Sequence, residues 1–211
     1  MLDGYVSEKE QLESIGKWWN ENGKFLLMAI AIGLAIGFGW RYWHTLQMRR
    51  AENASVVYQS VLEADSQNNT ATVIGGAKLL MNRFSNTPYA SLAALLLAKE
   101  SVAQNNLSLA LKNLHWVISN SDQKRLQQIA RLSSARILLA EHNPKAAADE
   151  LSVVDDKHFA PLIAWLKGDI DTQEGNAIGA EAHYTEAKSA LAGFHPAMDV
   201  LDKKIAQPII E

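Results

Sequence analysis

The chain has 211 residues, a formal net charge of −3 at pH 7 and no cysteine. The missing thiols exclude a disulfide framework and a thiolate metal site. No stretch is basic enough to follow a nucleic-acid backbone, so nucleic acid is excluded as the main partner. Hydrophobic residues make up 48% of the chain, which is enough to build a sizeable core.

The first predicted element is a membrane-spanning helix. Residues 25–40 form an uncharged run of sixteen residues, FLLMAIAIGLAIGFGW, between Lys24 and Arg41. Sixteen helical residues rise about 24 Å, whereas a bilayer core is about 30 Å thick, so the span extends to Trp43. Tryptophans and a tyrosine flank both ends, as is typical of the membrane interface. They are Trp18, Trp19, Trp40, Tyr42 and Trp43.

Two alternatives compete with a permanent anchor at residues 25–43. A cleaved signal peptide needs a basic leader, but residues 1–24 carry three Lys against five Asp and Glu. A buried core helix is also compatible with an apolar run shorter than eighteen residues, although the flanking aromatic side chains argue against it. Three Lys precede the span and three Arg follow it, so charge alone does not set its orientation.

The rest of the chain, residues 44–211, is predicted to be all-α. It lacks valine and isoleucine runs of period two, and its apolar residues recur three and four apart. No helix breaker lies between Arg41 and Asp65, so the membrane helix is expected to run on into the first soluble helix. Asparagine, proline and glycine then separate short helices. These breaks lie at Asn68-Asn69, Asn86-Thr87-Pro88, Asn105-Asn106, Asn143-Pro144, Gly175-Asn176 and His195-Pro196.

Small residues recur around three of these breaks with one spacing. Each pair is twelve residues apart and brackets a turn, and successive pairs are 37 and 33 residues apart. This period is close to that of a tetratricopeptide unit, in which small residues let two antiparallel helices approach closely. The repeat-packing residues are Ala98 with Ala110, Ala135 with Ala147, and Gly168 with Ala180. Residues 51–84 fit the repeat only loosely.

Such an array predicts a concave groove lined by the first helix of each pair. Apolar residues with one charge per unit are suited to binding a polypeptide segment, and Trp165 is expected to be the main contact. Inter-helix core is the alternative for the leucines. The groove residues are Leu92, Leu95, Lys99 and Val102, then Ile129, Leu132, Arg136 and Leu139, then Leu162, Trp165, Asp169 and Thr172.

No pattern in the sequence predicts catalysis, a metal site or a cofactor. The six histidines form no paired ligand set, and neither a nucleophile elbow nor a phosphate-binding glycine loop is present. Asp155, Asp156 and His158 are interpreted as solvated loop residues. In the span, Gly33 and Gly37 are four apart and mark a face that another transmembrane helix can approach, although glycine is common in such helices.

Several segments together resemble the YfgM family of bacterial inner-membrane proteins. The similarity rests on a glycine-rich span after an acidic leader, on later segments in similar order, and most specifically on GWRYW. These segments are Asn22-Gly23-Lys24, Gly39-Trp40-Arg41-Tyr42-Trp43, ASVVYQ at 54–59, YASLA at 89–93, Leu97-Ala98, Arg131-Leu132, Ala135-Arg136, LKGD at 166–169 and Gly175-Asn176.

The resemblance implies an ancillary subunit of the Sec translocon in the bacterial inner membrane. Its residues 1–24 would be cytoplasmic, residues 25–43 would span the bilayer once, and residues 44–211 would form a periplasmic repeat domain. Implied partners are the translocon, a PpiD-type periplasmic chaperone and unfolded exported chains. A cytoplasmic role in restraining a stress-response regulator is also implied, but residues 1–13 depart from the family pattern.

We therefore expect a membrane-anchored adaptor that binds other proteins and is not an enzyme. Two other classes stay open at this stage. The repeats would suit a scaffold for cell-envelope assembly that contacts no exported chain. An enzyme is the weaker alternative, and an activity that is lost when His158 is substituted would support it.

Overall fold

The computed structural model describes residues 8–191 and 195–206, with side chains described from Leu12 to Leu191 and from Asp199 to Ala206. In this part of the chain all regular structure is helical, as predicted. The α-helices are α1 (Glu8–Ser66), α2 (Thr70–Arg83), α3 (Pro88–Ala103), α4 (Leu107–Asn120), α5 (Lys124–Ala140), α6 (Pro144–Ser152), α7 (Ala160–Gln173), α8 (Ala177–Ala190) and α9 (His195–Ala206), and a 3-10 turn covers Lys157–Phe159.

The chain divides into two compact units, Met1–Arg49 and Arg50–Glu211. In the described part of the first unit, α1 carries the apolar run and is long and apolar enough to cross a membrane. Only 6% of its most apolar window is buried, whereas a core helix would be mostly covered. The low burial favours the membrane span over the core-helix alternative.

The second unit begins within α1 and contains four helix pairs. They are the end of α1 with α2, α3 with α4, α5 with α6, and α7 with α8, and α9 follows the last pair. Four apolar clusters hold these pairs together, and each cluster joins one pair to the first helix of the next or to α9. The core is therefore a row of neighbouring contacts, which is the arrangement expected of a repeat protein.

One turn is repeated inside all four pairs. A residue with positive φ ends the first helix, and an asparagine follows it: Asn68 (55°) before Asn69, Asn105 (56°) before Asn106, His142 (56°) before Asn143, and Gly175 (78°) before Asn176. The amide of each asparagine donates to the carbonyl five residues back, at 2.8 to 2.9 Å, which is the Schellman closure of a helix end.

The same four asparagines also start the second helix. Each side-chain oxygen accepts from the backbone amide three residues later, at 3.1 to 3.2 Å. This is the N-cap bond that satisfies an otherwise unpaired amide of the first turn. A two-residue unit thus ends one helix and begins the next with a fixed change of direction.

The six predicted repeat-packing residues are all buried, Ala98, Ala110, Ala135, Ala147 and Ala180 at 4% exposure or less, and Gly168 with them. The first pair was expected to fit loosely, and its equivalent positions hold Val61 and Val73. Both valines are buried, and a Cβ on Gly76 would lie only 2.4 Å from Cγ2 of Val61. Gly76 therefore allows α1 and α2 to approach closely at Val61, as the small residues do in the other pairs.

The break between α4 and α5 was not predicted. Ser121 ends α4, and its Oγ accepts from the amide of Gln123 at 3.2 Å. The side chain of Gln127 donates to the Ser121 carbonyl at 2.6 Å. The polar run Ser119 to Asp122 is the sequence signal, because such side chains compete for backbone hydrogen bonds at helix ends.

Gly168 sets the distance between α7 and α8. A Cβ at this position would lie 2.4 Å from Cε1 of Tyr184, which is itself buried. We predict that Gly168→Ala lowers the free energy of unfolding by about 1–2 kcal/mol, because overpacking outweighs the gain in helix propensity. Thermal unfolding of the full-length protein in detergent, followed by far-ultraviolet circular dichroism, measures the change.

Gly75→Ala is the matched control. Gly75 is exposed in α2, and an added Cβ there would meet no atom within 4 Å. It should raise the free energy of unfolding by about 0.5–1 kcal/mol, since only the backbone entropy term remains. Equal midpoints for both variants would contradict the assigned role of Gly168.

Candidate interaction groove

The repeated turn places one residue of each first helix at the same register. The residues seven positions before the capping asparagine are Leu62, Lys99, Arg136 and Asp169. The last three were predicted to carry the charges of the groove, one per unit. All three line cavities of the second unit, and they do so together with apolar side chains.

The first cavity, the α3/α5 pocket, has a volume of about 350 Å³. Its walls are mostly apolar, with Lys99 and Arg136 as the cationic side chains. Five predicted groove residues, Leu95, Lys99, Val102, Ile129 and Arg136, lie here. The full lining is Leu95, Ala98, Lys99, Val102, Leu114, Ile129, Ser133, Arg136 and Ile137.

The second cavity, the α5/α7 pocket, has a volume of about 270 Å³ and also reaches α9. Its lining is Arg136, Leu162, Trp165, Leu166, Asp169 and Lys204. Arg136 belongs to both linings and therefore stands between the two pockets. We call the two pockets with Arg136 between them the groove.

Two predicted groove residues, Leu132 and Leu139, are not exposed as expected. They are 2% and 6% exposed and pack in the cluster that contains Ala147 and Leu151 of α6. Ser133, one position further along α5, lines the α3/α5 pocket instead of Leu132. Leu132 follows Ile129 by three residues, and helical spacing alone does not show whether its side chain faces the groove or the core. In the structure it packs in the core with α6.

Leu92 and Thr172 lie beside the pockets. Leu92 is half-buried and packs against the α3–α4–α5 cluster. The Thr172 hydroxyl donates to the Gly168 carbonyl at 2.8 Å and lies 2.9 Å from the Tyr184 hydroxyl. Neither residue is among the pocket linings.

Trp165 was expected to be a free contact residue, but it is partly buried by the chain itself. Trp165 packs against the α7–α8–α9 cluster, to which α9 contributes Leu201. Ile205 of α9 packs against the same cluster. Trp165 still lines the α5/α7 pocket and is half-buried. Sequence reasoning left the position of α9 open, since α9 lies outside the repeat.

Asp169 joins α7, α8 and α9. Its Oδ1 accepts from the Tyr184 hydroxyl at 2.8 Å and from Nζ of Lys204 at 2.6 Å. The same Nζ lies 5.5 Å from the centre of the Tyr184 ring, within cation–π range. Burial, and then the hydrogen bond and negative charge of Asp169, raise the pKa of Tyr184, so its hydroxyl stays protonated and donates.

The acidic residues Asp155 and Asp156, interpreted from sequence as solvated, fasten the loop after α6 to α5. Asp155 contacts Lys124 at 2.6 Å, and Asp156 contacts Arg125 at 3.4 Å and Nδ1 of His158 at 2.6 Å. Hydrogen bonds from Lys124 and Gln128 lower the pKa of Asp155, and bonds from His158 lower that of Asp156. Among the described residues, no group of three acidic or histidine side chains is arranged to hold a metal ion.

In the first unit, Gly33 and Gly37 both lie on the exposed surface of α1. A Cβ at either position would meet no atom within 4 Å, so that helix face is free of side-chain bulk. The predicted contact with another transmembrane helix stays a prediction.

Comparison with known proteins gives the family. The family described as "Tetratricopeptide repeat-like domain" matches residues 16–207. The fold and this match define a tetratricopeptide-like repeat protein with an N-terminal apolar helix, and the chain belongs to that family. No solved structure matches the chain.

Several curated relatives carry the name "Ancillary SecYEG translocon subunit". One from Escherichia coli (strain K12) is 29% identical over 86% of this chain and 87% of its own length. One from Haemophilus influenzae is 28% identical over 88% and 90%, and one from Neisseria gonorrhoeae is 24% identical over 97% and 98%. These relatives, together with the repeat family, confirm the resemblance to the YfgM family.

The contact between Lys204 and Asp169 is expected to hold α9 in place. We predict that Lys204→Ala lowers the free energy of unfolding by about 1 kcal/mol, because it removes a charge-assisted hydrogen bond from a half-buried carboxylate. It should also speed amide exchange in α9 more than in α5. Hydrogen–deuterium exchange of the full-length protein in detergent gives both segments in one measurement.

Lys203→Ala provides the control, because Lys203 is exposed and forms no ion pair with the described residues. Its exchange rates should match those of the unmodified chain. If Lys204→Ala and Lys203→Ala left α9 equally protected, the ion pair would not hold the helix.

Proposed function

We propose that this protein is a membrane-anchored adaptor of the Sec translocon. Its helical repeats bind polypeptides, and its apolar helix keeps them at the bacterial inner membrane. The single observation that carries this proposal is the groove, because two largely apolar pockets that share Arg136 form a surface suited to binding a polypeptide. The name shared by the relatives supports the translocon as the site of action.

The proposed partners are SecYEG, a PpiD-type periplasmic chaperone and unfolded exported chains. A membrane anchor confines the groove near the export site and raises its effective concentration there. Weak contacts then suffice, and a client can be passed on quickly to a chaperone. Groove residues Leu95, Lys99, Ile129, Arg136, Leu162, Trp165 and Asp169 form the proposed partner-binding surface.

The proposed orientation places residues 1–24 in the cytoplasm, residues 25–43 in the bilayer and residues 44–211 in the periplasm. Because the chain has no cysteine, single cysteines report each side without background labelling. A membrane-impermeant maleimide added to spheroplasts should label Glu52→Cys and leave Glu21→Cys unlabelled until the membrane is permeabilised. The opposite pattern would place the repeats in the cytoplasm and remove periplasmic partners.

Photo-crosslinking tests the binding role. A photoreactive residue replacing Ser133 in the α3/α5 pocket should capture SecYEG, a membrane-anchored periplasmic chaperone or exported chains. The same residue at exposed position Lys112, which lies outside both pockets, is the matched control. Capture of resident envelope proteins alone would favour an assembly scaffold, and equal capture at both positions would remove the groove from the mechanism.

A further inference from the structure

Arg136 is a cation without a partner in the described part of the chain. Its side chain is exposed, lies between two apolar pockets, and forms no ion pair with residues 12–191 or 199–206. Arg131 on the same helix, by contrast, donates to Glu150 at 2.7 Å. Resting on the proposed function, we infer that the groove recognises an apolar polypeptide segment that carries one acidic residue between its apolar side chains.

The neighbouring charges single out Arg136 as the recognition group. Nζ of Lys99 already lies 3.2 Å from Asp65 and 3.9 Å from Glu100, so its charge is shared with the chain's own carboxylates. Asp169, at the same register in the next unit, is neutralised by Lys204 at 2.6 Å. It therefore repels an incoming carboxylate less than a bare acid would.

The geometry also sets the order of side chains in the ligand. On one side of Arg136 lies the α3/α5 pocket of about 350 Å³, with Leu95, Val102 and Ile129 in its wall. On the other side, Leu162, Trp165 and Leu166 line the α5/α7 pocket of about 270 Å³. Cavities of this size accept individual side chains. The ligand pattern is thus apolar, acidic, apolar.

The chemistry of guanidinium favours this reading over a purely apolar ligand. Arginine presents paired donors that match both oxygens of a carboxylate, and such bonds are stronger than those between neutral groups. An apolar segment laid across Arg136 without an acid would desolvate the guanidinium and leave its donors unpaired, which disfavours binding. A lysine in the ligand would add repulsion to that loss.

The test uses the full-length protein in nanodiscs and a library of short apolar peptides. Each peptide exists in three forms that differ only in the central residue, Glu, Gln or Lys. Averaging over many flanking sequences removes dependence on one choice of peptide. Fluorescence anisotropy gives the affinities, and the photoreactive residue at Ser133 reports whether a peptide lies in the groove.

We expect the Glu forms to bind about tenfold more tightly than the Gln forms, with the Lys forms weakest. Arg136→Gln should abolish the difference between Glu and Gln forms. Arg136→Glu should make the Lys forms the preferred ligands. Arg83→Gln, which changes an exposed arginine of α2 outside both pockets, is the matched control and should preserve the original order.

Two outcomes would overturn the inference, and they can be told apart. Equal crosslinking and equal affinity of all three forms would show that the groove binds polypeptide without reading charge, which leaves the proposed function in place. An absence of crosslinking for every peptide would remove both the acidic ligand and the groove. Far-ultraviolet circular dichroism of each variant shows whether the helical fold is retained.

Discussion

The turn inside each helix pair sets the register of the first helices that line the groove. A residue with positive φ closes the first helix, and the following asparagine caps the second, at Asn69, Asn106, Asn143 and Asn176. Because the turn is the same in each pair, the register of the first helix is copied from unit to unit. Lys99, Arg136 and Asp169 occupy equivalent positions in three successive pairs for this reason, and all three line the groove.

The helical pairs were predictable because turn chemistry and small-residue spacing are local signals. Asparagine and glycine marked the four turns inside the helix pairs, at Asn68-Asn69, Asn105-Asn106, Asn143-Pro144 and Gly175-Asn176. The twelve-residue spacing of small residues around the last three indicated which helices pair. The first pair was harder to recognise, since Gly76 makes the room there and Val61 and Val73 occupy the expected small positions. Two helices can pack closely when either one carries a small residue at the contact, and here that residue is Gly76 of α2.

The groove was only partly predictable, because a helical period does not decide between two adjacent faces. Ile129 and Arg136 line it, yet Leu132 and Leu139 turn toward α6, and Ser133 takes the exposed position. The location of α9 also escaped sequence reasoning. Leu201 packs with the α7–α8 core, and Lys204 contacts Asp169, which lies 35 positions earlier in the chain. No local pattern in the sequence reports such contacts.

The carboxylate of Asp169 shows how α9 changes the charge of the groove, because Lys204 of α9 pairs with it. Without Lys204, the unpaired carboxylate of Asp169 would line the same pocket as Arg136. An acidic ligand would then be attracted by Arg136 and repelled by Asp169. The lysine of α9 neutralises that carboxylate, while Tyr184 donates a further hydrogen bond to it. Arg136 is left as the one charge in the groove without an intramolecular partner among the described residues. A helix outside the repeat thus tunes the charge that the repeat presents, without contributing an apolar contact to either pocket.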